Sequence, residues 1–292
     1  MRQSIFMMWL LIILIGCSNN PTDVDTLDLR KNSVIVYQNY RTGQPKIILM
    51  NTEGEELRDL SPKEWDFDPN LSPDGDQIAF VGYRDGRLQI FLMSPWGAIL
   101  DQLTNSRFVK ENPTWSPDGN YLLFDQYESG HGEIYRMDKD GSHLVRLTDN
   151  PGVDANPSWS PDGKRIAFTR FQHSRLQIYL MDIRGSELKN VSNSDQHEYD
   201  PAWSPDGSQI AFVINNRIHL MHADGSNKVR LTTGEFWEAD PIWSPDGTEV
   251  AFASKREDDN VDIYRIKKNG SGLIKLTFHP GEDRRPHWGI LR

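Results

Sequence analysis

Short apolar runs recur along this chain with a period of 44 residues in most intervals, and each run follows the same polar turn. The turn reads Ser-Pro-Asp-Gly at Ser72–Gly75, Ser116–Gly119, Ser160–Gly163, Ser204–Gly207 and Ser244–Gly247. Directly before these turns stand Leu71, Trp115, Trp159, Trp203 and Trp243, and Trp288 lies near the end, so the intervals are 44, 44, 44, 40 and 45 residues. A fixed period of this length is typical of solenoids, arrays and propellers.

Within one repeat, the alternation of apolar runs and turn residues predicts four short strands. The repeat around Trp159 continues with Ile166-Ala167-Phe168, then Ile178-Tyr179, then a turn at Gly185 and a final pair, Val191-Ser192. Four-stranded antiparallel units that are arranged radially are the blades of a β-propeller, which leaves only short and protected sheet edges. The pattern therefore predicts an all-β propeller.

The two ends of the chain carry complementary parts of one more blade. Ile35-Val36-Tyr37, Ile47 and Leu60 follow the same spacing as strands two, three and four of the other repeats. Arg285-Pro286-His287-Trp288 matches a first strand, and no second strand follows it. We therefore expect a six-bladed propeller that is closed by three N-terminal strands and one C-terminal strand, because this pairing satisfies backbone groups that would otherwise be left open.

The first residues change the expected location. The apolar segment Ile5–Ile15 has the length of a signal-peptide core and is too short to span a bilayer. It leads into Gly16-Cys17, which resembles a bacterial lipobox, and Cys17 is the only cysteine. We expect residues 1–16 to be a lipoprotein signal peptide, Cys17 to be lipidated, residues 17–32 to be a flexible tether and residues 33–292 to be the propeller.

An ordinary signal peptide or a short membrane anchor is the alternative for the first residues. Ser18, in place of Asp, favours the outer membrane with the propeller facing the periplasm.

Composition narrows the class of partner. The chain has 292 residues, a formal net charge of -10 and a pI near 5.3. Binding to a nucleic-acid backbone requires clustered Lys and Arg, so we expect no nucleic-acid partner. Because the repeats occupy residues 33–289, we expect one domain beyond the tether and a monomeric protein.

The repeat resembles a known family. Pro157-Ser158-Trp159 with its Ser-Pro-Asp-Gly turn and Ile166-Ala167-Phe168 is similar to the WD40-like (PD40) propeller repeats of the periplasmic TolB family, and the resemblance covers nearly all of residues 33–289. It implies a propeller that binds an envelope protein at one mouth of its channel. We expect no counterpart of the α/β domain that precedes the propeller in TolB proteins, because only the predicted tether comes before Ile35. The resemblance therefore implies a non-enzymatic, lipid-anchored envelope protein with a protein or glycan partner.

A metal-dependent enzyme is the alternative, because similar repeats occur in polysaccharide lyases and beside peptidases. The five Ser-Pro-Asp-Gly segments do not indicate catalysis, since Pro, Asp and Gly together satisfy the geometry of a turn. A lyase, or a calcium-dependent esterase or lactonase, would need acidic residues and a histidine at the channel mouth. His197 and His287 are the candidates.

Polar residues just before each first strand are the candidate site. The outer set, three residues before each Pro, comprises Asp66, Lys110, Asp154, Glu198, Glu238 and Asp283; the inner set, directly before Pro, comprises Asp68, Asn112, Asn156, Asp200, Asp240 and Arg285. The loop into the innermost strand borders the channel of a propeller, so we expect two stacked rings that concentrate negative charge at its mouth.

The acidic residues of both sets are the predicted partner-binding residues. They are Asp66, Asp68, Asp154, Glu198, Asp200, Glu238, Asp240 and Asp283. A basic protein loop, a cationic ligand or a Ca²⁺ ion in the channel would fit them, and no other cofactor is expected. Trp65, Phe67, Tyr199, Phe236 and Trp237 lie in the same loops and are candidate interface anchors. The alternative is that these Asp and Asn residues only cap turns.

Overall fold

The structure, a computed structural model, describes residues 33–61, 65–128, 130–256 and 259–292, and these residues form six four-stranded antiparallel sheets. The first three complete blades are β4 (Asp66–Leu71), β5 (Ile78–Arg84), β6 (Arg87–Met93) and β7 (Ile99–Gln102); β8 (Val109–Trp115), β9 (Tyr121–Glu128), β10 (His131–Asp138) and β11 (Val145–Arg146); and β12 (Asp154–Trp159), β13 (Arg165–Gln172), β14 (Arg175–Asp182) and β15 (Lys189–Asn190). The next two are β16 (Glu198–Trp203), β17 (Gln209–Ile214), β18 (Arg217–His222) and β19 (Val229–Arg230); and β20 (Trp237–Trp243), β21 (Glu249–Lys255), β22 (Asp262–Lys267) and β23 (Ile274–Lys275). We number these blades one to five.

The sixth blade joins the two ends of the chain. Its strand order is β24 (Asp283–Ile290), β1 (Ser33–Asn39), β2 (Lys46–Asn51) and β3 (Glu56–Asp59), and we call it the clasp blade. β24 and β1 are antiparallel, with Ser33 opposite Ile290 and Asn39 opposite Asp283. The indole Nε1 of Trp288 also donates to the Ser33 hydroxyl at 2.7 Å. The six blades, the four-stranded sheets and the three-plus-one closure predicted from the sequence are confirmed.

The hydrophobic core lies between neighbouring blades. Trp203 and Phe212 of blade four pack in one cluster with Ile178 and Leu180 of blade three. Phe212 is fully buried, and a buried side chain of this size contributes about 2 to 3 kcal/mol. Since each cluster joins two blades, the repeated Trp and Phe positions hold the ring together.

The Ser-Pro-Asp-Gly segments form tight turns between first and second strands. In blade three, the Ser160 hydroxyl donates to Asp162 Oδ1 at 2.6 Å and accepts the backbone N–H of Arg165 at 2.9 Å. Gly163 has a φ of 67° and donates its N–H to the Ser160 carbonyl. The segment thus serves the turn, as its chemistry indicates.

The propeller has two distinct ends. We call the end with the Ser-Pro-Asp-Gly turns the turn end, and the opposite end, where each innermost strand begins, the mouth end. Ser33 lies at the turn end, because it pairs with Ile290 and the carbonyl of Ile290 packs against Gly75 of the first such turn. Among the residues that the structure describes, no helix is long and apolar enough to cross a membrane. The predicted signal peptide, Cys17 and the tether lie outside the described residues.

Candidate functional site

The inner set forms a ring around the channel, and all six residues share an unusual backbone conformation. Their φ angles are 49° for Asp68, 53° for Asn112, 55° for Asn156, 53° for Asp200, 54° for Asp240 and 51° for Arg285. In every blade the pairing of the first and second strands shifts register at this point. Asn and Asp tolerate the left-handed region better than other residues with a side chain, so this bulge explains five of the six residue types.

The bulge also removes a hydrogen-bond partner from the ring residue's own N–H. Side chains of the preceding blade replace it: Asp68 Oδ2 accepts the N–H of Asn112 at 3.2 Å, and Asp240 Oδ2 accepts that of Arg285 at 3.3 Å. Thr169 Oγ1 accepts the N–H of Asp200 at 3.1 Å. The inner ring is therefore a belt of bonds between blades as well as a polar surface.

Arg285 is the exception in this ring, since a long side chain gains nothing from the left-handed region. Its guanidinium Nε lies 3.4 Å from Asp240 Oδ1 and 3.6 Å from Asp68 Oδ1. Its Nη1 donates to Asn112 Oδ1 at 2.5 Å. Burial opposes the charged form, but the carboxylates of Asp240, Asp68 and Asp200 raise the pKa of Arg285. One fixed cation therefore compensates part of the ring's negative charge.

Asp200 is an inner-ring residue whose carboxyl has a pKa in the neutral range. Burial, together with the charge of nearby Asp240, raises the pKa of Asp200 to about 7. Its Oδ1 accepts a hydrogen bond from the Asn156 side-chain amide at 2.6 Å. The mouth thus gains negative charge as pH rises through neutrality.

The channel itself is a small cavity of about 140 Å³ with both polar and apolar lining residues. Below the inner ring it is lined by the six prolines and then by Asn70, Thr114, Ser158, Ala202, Ile242 and His287. His287 Nδ1 accepts the backbone N–H of Leu71 at 3.1 Å, and burial lowers the pKa of His287 to about 4. His197 is exposed, accepts the N–H of Leu176 through its Nδ1 and does not line this cavity. The two histidines named for an enzyme are thus not brought together there.

The outer set does not form an open rim, and this part of the sequence prediction is corrected. Asp66, Lys110, Asp154, Glu198, Glu238 and Asp283 are each at most 1% exposed. Four of the acidic residues are ion-paired: Asp66 with Arg84 at 2.7 Å, Asp154 with Arg170 at 2.6 Å, Glu198 with Lys228 at 2.7 Å, and Glu238 with Arg256. These carboxylates fasten strands to each other beneath the surface, so a partner cannot reach them without breaking the pairs.

In blade two, the outer set has Lys110 at the position where the other blades have Asp or Glu. Its Nζ donates to the Ser106 hydroxyl and to the Phe108 carbonyl, the latter at 2.9 Å. Burial lowers the pKa of Lys110 to about 8. The outer set therefore differs from blade to blade in charge although it is buried throughout.

The donor set fits Ca²⁺ poorly. Within residues 33–61, 65–128, 130–256 and 259–292, no group of three or more His, Cys, Asp or Glu residues could hold a metal ion. At the mouth, Arg285 already supplies positive charge to Asp68 and Asp240. Ca²⁺ in the channel stays a prediction that this arrangement does not favour.

Exposed aromatic side chains concentrate at the mouth end. The four most exposed Trp, Tyr or Phe residues in the described part of the chain are Trp65 (46%), Tyr83 (45%), Phe171 (40%) and Phe278 (70%), and we call them the aromatic rim. Each lies in a loop into a first strand or at the end of a second strand, which places it at the mouth end. Large exposed aromatic side chains are enriched where proteins bind each other.

Trp65 is the most unusual member of the aromatic rim. Its φ is 71°, which is an outlier for a bulky residue. Its N–H donates to the Pro45 carbonyl and its carbonyl accepts the Tyr83 N–H, both at 2.9 Å. The rings of Trp65 and Tyr83 lie 5.8 Å apart at 46°. Two hydrogen bonds therefore hold an exposed indole in a strained position.

The sequence pattern predicts only part of the aromatic rim. Of the predicted interface anchors, Trp65 belongs to it, whereas Phe67, Tyr199, Phe236 and Trp237 are partly buried. Tyr83 and Phe171, each three residues beyond the buried Phe of its second strand, and Phe278, which directly follows a Leu-Thr pair, are not predicted. The signal in the sequence that indicates these three exposed aromatic residues is their position beyond the last apolar residue of the repeat pattern.

Comparisons with known proteins agree with this architecture. The family model described as the TolB beta propeller domain (PD40) matches residues 30–155 and 137–290. TolB from Acinetobacter baumannii superposes with a TM-score of 0.76 at 26% identity, over 88% of this chain and 66% of that protein. A putative TolB from Agrobacterium tumefaciens has a TM-score of 0.67 at 23% identity, over 87% and 91% of the two chains.

The fold also occurs in an enzyme. An oligogalacturonate lyase in complex with manganese has a TM-score of 0.56 at 17% identity, over 86% of this chain and 75% of the lyase, which shows a shared fold alone. No curated protein matches the chain. This chain spans 66% of the length of the Acinetobacter protein, so it is similar to part of that protein.

Proposed function

The chain belongs to the TolB β-propeller family, and from this membership and the aromatic rim we propose that it is a non-enzymatic binding module that docks a protein partner of the bacterial cell envelope at its mouth end. The observation that carries the proposal is the position of Trp65, Tyr83, Phe171 and Phe278, all at one end of the ring. Aromatic anchors supply most of the binding energy in many protein interfaces.

The inner ring adds polar specificity to this surface. Asp200 and Asp240 lie on one side of the mouth, and Arg285 compensates Asp240 but makes no ion pair with Asp200 within 4.0 Å among the described residues. A basic side chain of the partner would find its counter-charge at Asp200, which supports the predicted role of this residue, while Asp68 and Asp240 stay predicted contacts. The outer acids would act indirectly, by fixing the strands that carry the mouth.

The position of the N-terminal end supports the same orientation. Ser33 lies at the turn end, opposite the mouth. With Cys17 lipidated in the outer membrane, as we propose, the chain would be attached on the side away from the aromatic rim. The mouth would then face the periplasm, where an envelope protein can reach it.

We expect Trp65→Ala to weaken capture of the partner at least about tenfold, because a central aromatic anchor contributes about 2 kcal/mol or more to binding. The full chain with a C-terminal tag would be used as bait on detergent-solubilised envelopes of its host, and captured proteins would be quantified by mass spectrometry.

Leu144→Ala is the matched control, since Leu144 is 51% exposed on the outer wall of blade two. It should leave capture unchanged. Equal capture by the wild type and Trp65→Ala, or equal loss in Trp65→Ala and Leu144→Ala, would refute docking at the mouth.

A further inference from the structure

The closing seam of the ring contains a buried carboxyl that lacks the counter-ion found at the equivalent position of blades one, three, four and five. In blade three, Asp154 and Arg170 are opposite each other on the first and second strands, and their side chains form an ion pair. In the clasp blade, Asp283 and Asn39 occupy the equivalent positions. The place of the guanidinium is thus taken by a neutral amide.

Asp283 is fully buried at the mouth end of this seam. Its Oδ1 accepts a hydrogen bond from the Asn39 amide, and its Oδ2 has no hydrogen-bond partner among the described residues. No Lys or Arg nitrogen in the described part of the chain forms an ion pair with it. Burial outweighs the hydrogen bonds from Asn39 and Thr277 and the positive charge of Arg41, so ionisation is costly at this site.

The charged groups that surround Asp283 are already engaged elsewhere. Arg41, just beyond β1, is bound to Glu56 of β3, and the Tyr37 hydroxyl of β1 donates to the same carboxylate at 2.8 Å. On blade five, Lys275 of β23 is paired with Asp262 of β22 at 2.9 Å, and the negative charge of Asp262 acts against ionisation of Asp283. Arg41 favours ionisation of Asp283 by its charge, but its ion pair is with Glu56, and no Lys or Arg of the described residues pairs with Asp283 within 4.0 Å.

We propose that closure of the propeller is controlled by a proton on Asp283: the pairing of β24 with β1 is tightest when this carboxyl is protonated and loosens when it ionises. The ring is closed by this pairing of the two chain ends, so a change here acts on the whole mouth. The proposal concerns ring closure and does not depend on the identity of a partner.

The direction of the pH dependence is the reverse of that for an ordinary paired Asp. Burial raises the pKa of Asp283 to about 6, above its ordinary value of 3.8. The folded state therefore holds the proton more tightly than the unfolded state between about pH 4 and about pH 6. Stability of the seam should fall as pH rises through this window, and the penalty should be complete above about pH 6.

Hydrogen exchange of the full chain tests this proposal. With rates corrected for intrinsic exchange, amides of β1 and β24 should be about 10- to 100-fold better protected in Asp283→Asn than in the wild type near pH 7.5, and the difference should shrink towards pH 4.5. Asn39→Arg, which restores the counter-ion found in blade three, should also raise protection near pH 7.5.

Glu198→Gln is the matched control. It removes a buried carboxylate from an existing ion pair with Lys228, so protection in blade four should fall at both pH values. The proposal is overturned if neither Asp283→Asn nor Asn39→Arg protects the seam more than the wild type near pH 7.5. It is equally overturned if the gain is the same at both pH values.

Discussion

Gly225→Ala is expected to destabilise the propeller by about 3 kcal/mol or more, whereas Gly163→Ala should cost only about 1 kcal/mol. Both glycines have a positive φ, 91° and 67°, so both substitutions force a left-handed residue with a Cβ. A Cβ on Gly225 would also lie 2.0 Å from the Val191 carbonyl oxygen of blade three, while a Cβ on Gly163 meets nothing within 4 Å. The difference between the two variants isolates the contact between blades.

Urea unfolding of both variants measures this difference, because the change in midpoint at constant slope reports stability. The same contact recurs around the ring. Gly54, Gly97, Gly141, Gly185, Gly225 and Gly270 each approach the backbone carbonyl of Leu276, Leu60, Leu103, Leu147, Val191 and Leu231, respectively. Equal losses of stability in the two variants would show that the turn geometry alone explains the repeated glycine.

Glu238→Ala should be comparably damaging, at about 3 to 5 kcal/mol, because it removes one partner of a buried ion pair. Glu238 is fully buried; its Oε2 accepts the N–H of Ile218 at 3.0 Å and the Thr232 hydroxyl. Its Oε1 accepts from Arg256, whose side chain is 8% exposed and would be left without this carboxylate.

Glu235→Ala provides the control for Glu238. Glu235 pairs with Arg217 at 2.8 Å, but its side chain is 83% exposed, and its loss should change stability by no more than about 0.5 kcal/mol. Thermal or urea unfolding of the two variants would be compared. A Glu238→Ala protein within about 0.5 kcal/mol of the wild type would contradict the role that we assign to the outer set.

These stability effects decide how binding should be tested. Glu238 and Asp154 belong to the residues that the sequence predicts as partner-binding, yet changing them breaks buried ion pairs. Lost capture in such variants would report damage to the fold. Trp65 and Leu144 avoid this problem because both are about half exposed and neither belongs to a buried ion pair.

The repeat predicts the fold because its spacing specifies each local step. Apolar pairs such as Ile166 and Phe168 fix the second strands, and Ser-Pro-Asp-Gly fixes the turns between first and second strands. The complementary ends predict the clasp, and the pairing of Ser33 with Ile290 confirms it. These features depend on short stretches of sequence, so a single chain is sufficient to infer them.

The candidate site is harder to predict from the sequence than the fold, because it depends on contacts between residues that are distant along the chain. The spacing places Asp66 at the start of a first strand, but its counter-ion is Arg84 at the end of the second strand. The counter-ion of Glu198 comes instead from Lys228, 30 residues later. A rule of spacing gives the position of each acid and cannot give its depth or its partner.

Site-specific photo-crosslinking in the host is the most direct test of docking at the mouth end. A photoreactive amino acid would replace Tyr83 in the aromatic rim or Lys164, which is exposed directly after a Ser-Pro-Asp-Gly turn at the opposite end. Docking at the mouth end predicts a discrete adduct from position 83 that disappears in the Trp65→Ala background, and none from position 164. An adduct from position 164 with none from position 83 would contradict it.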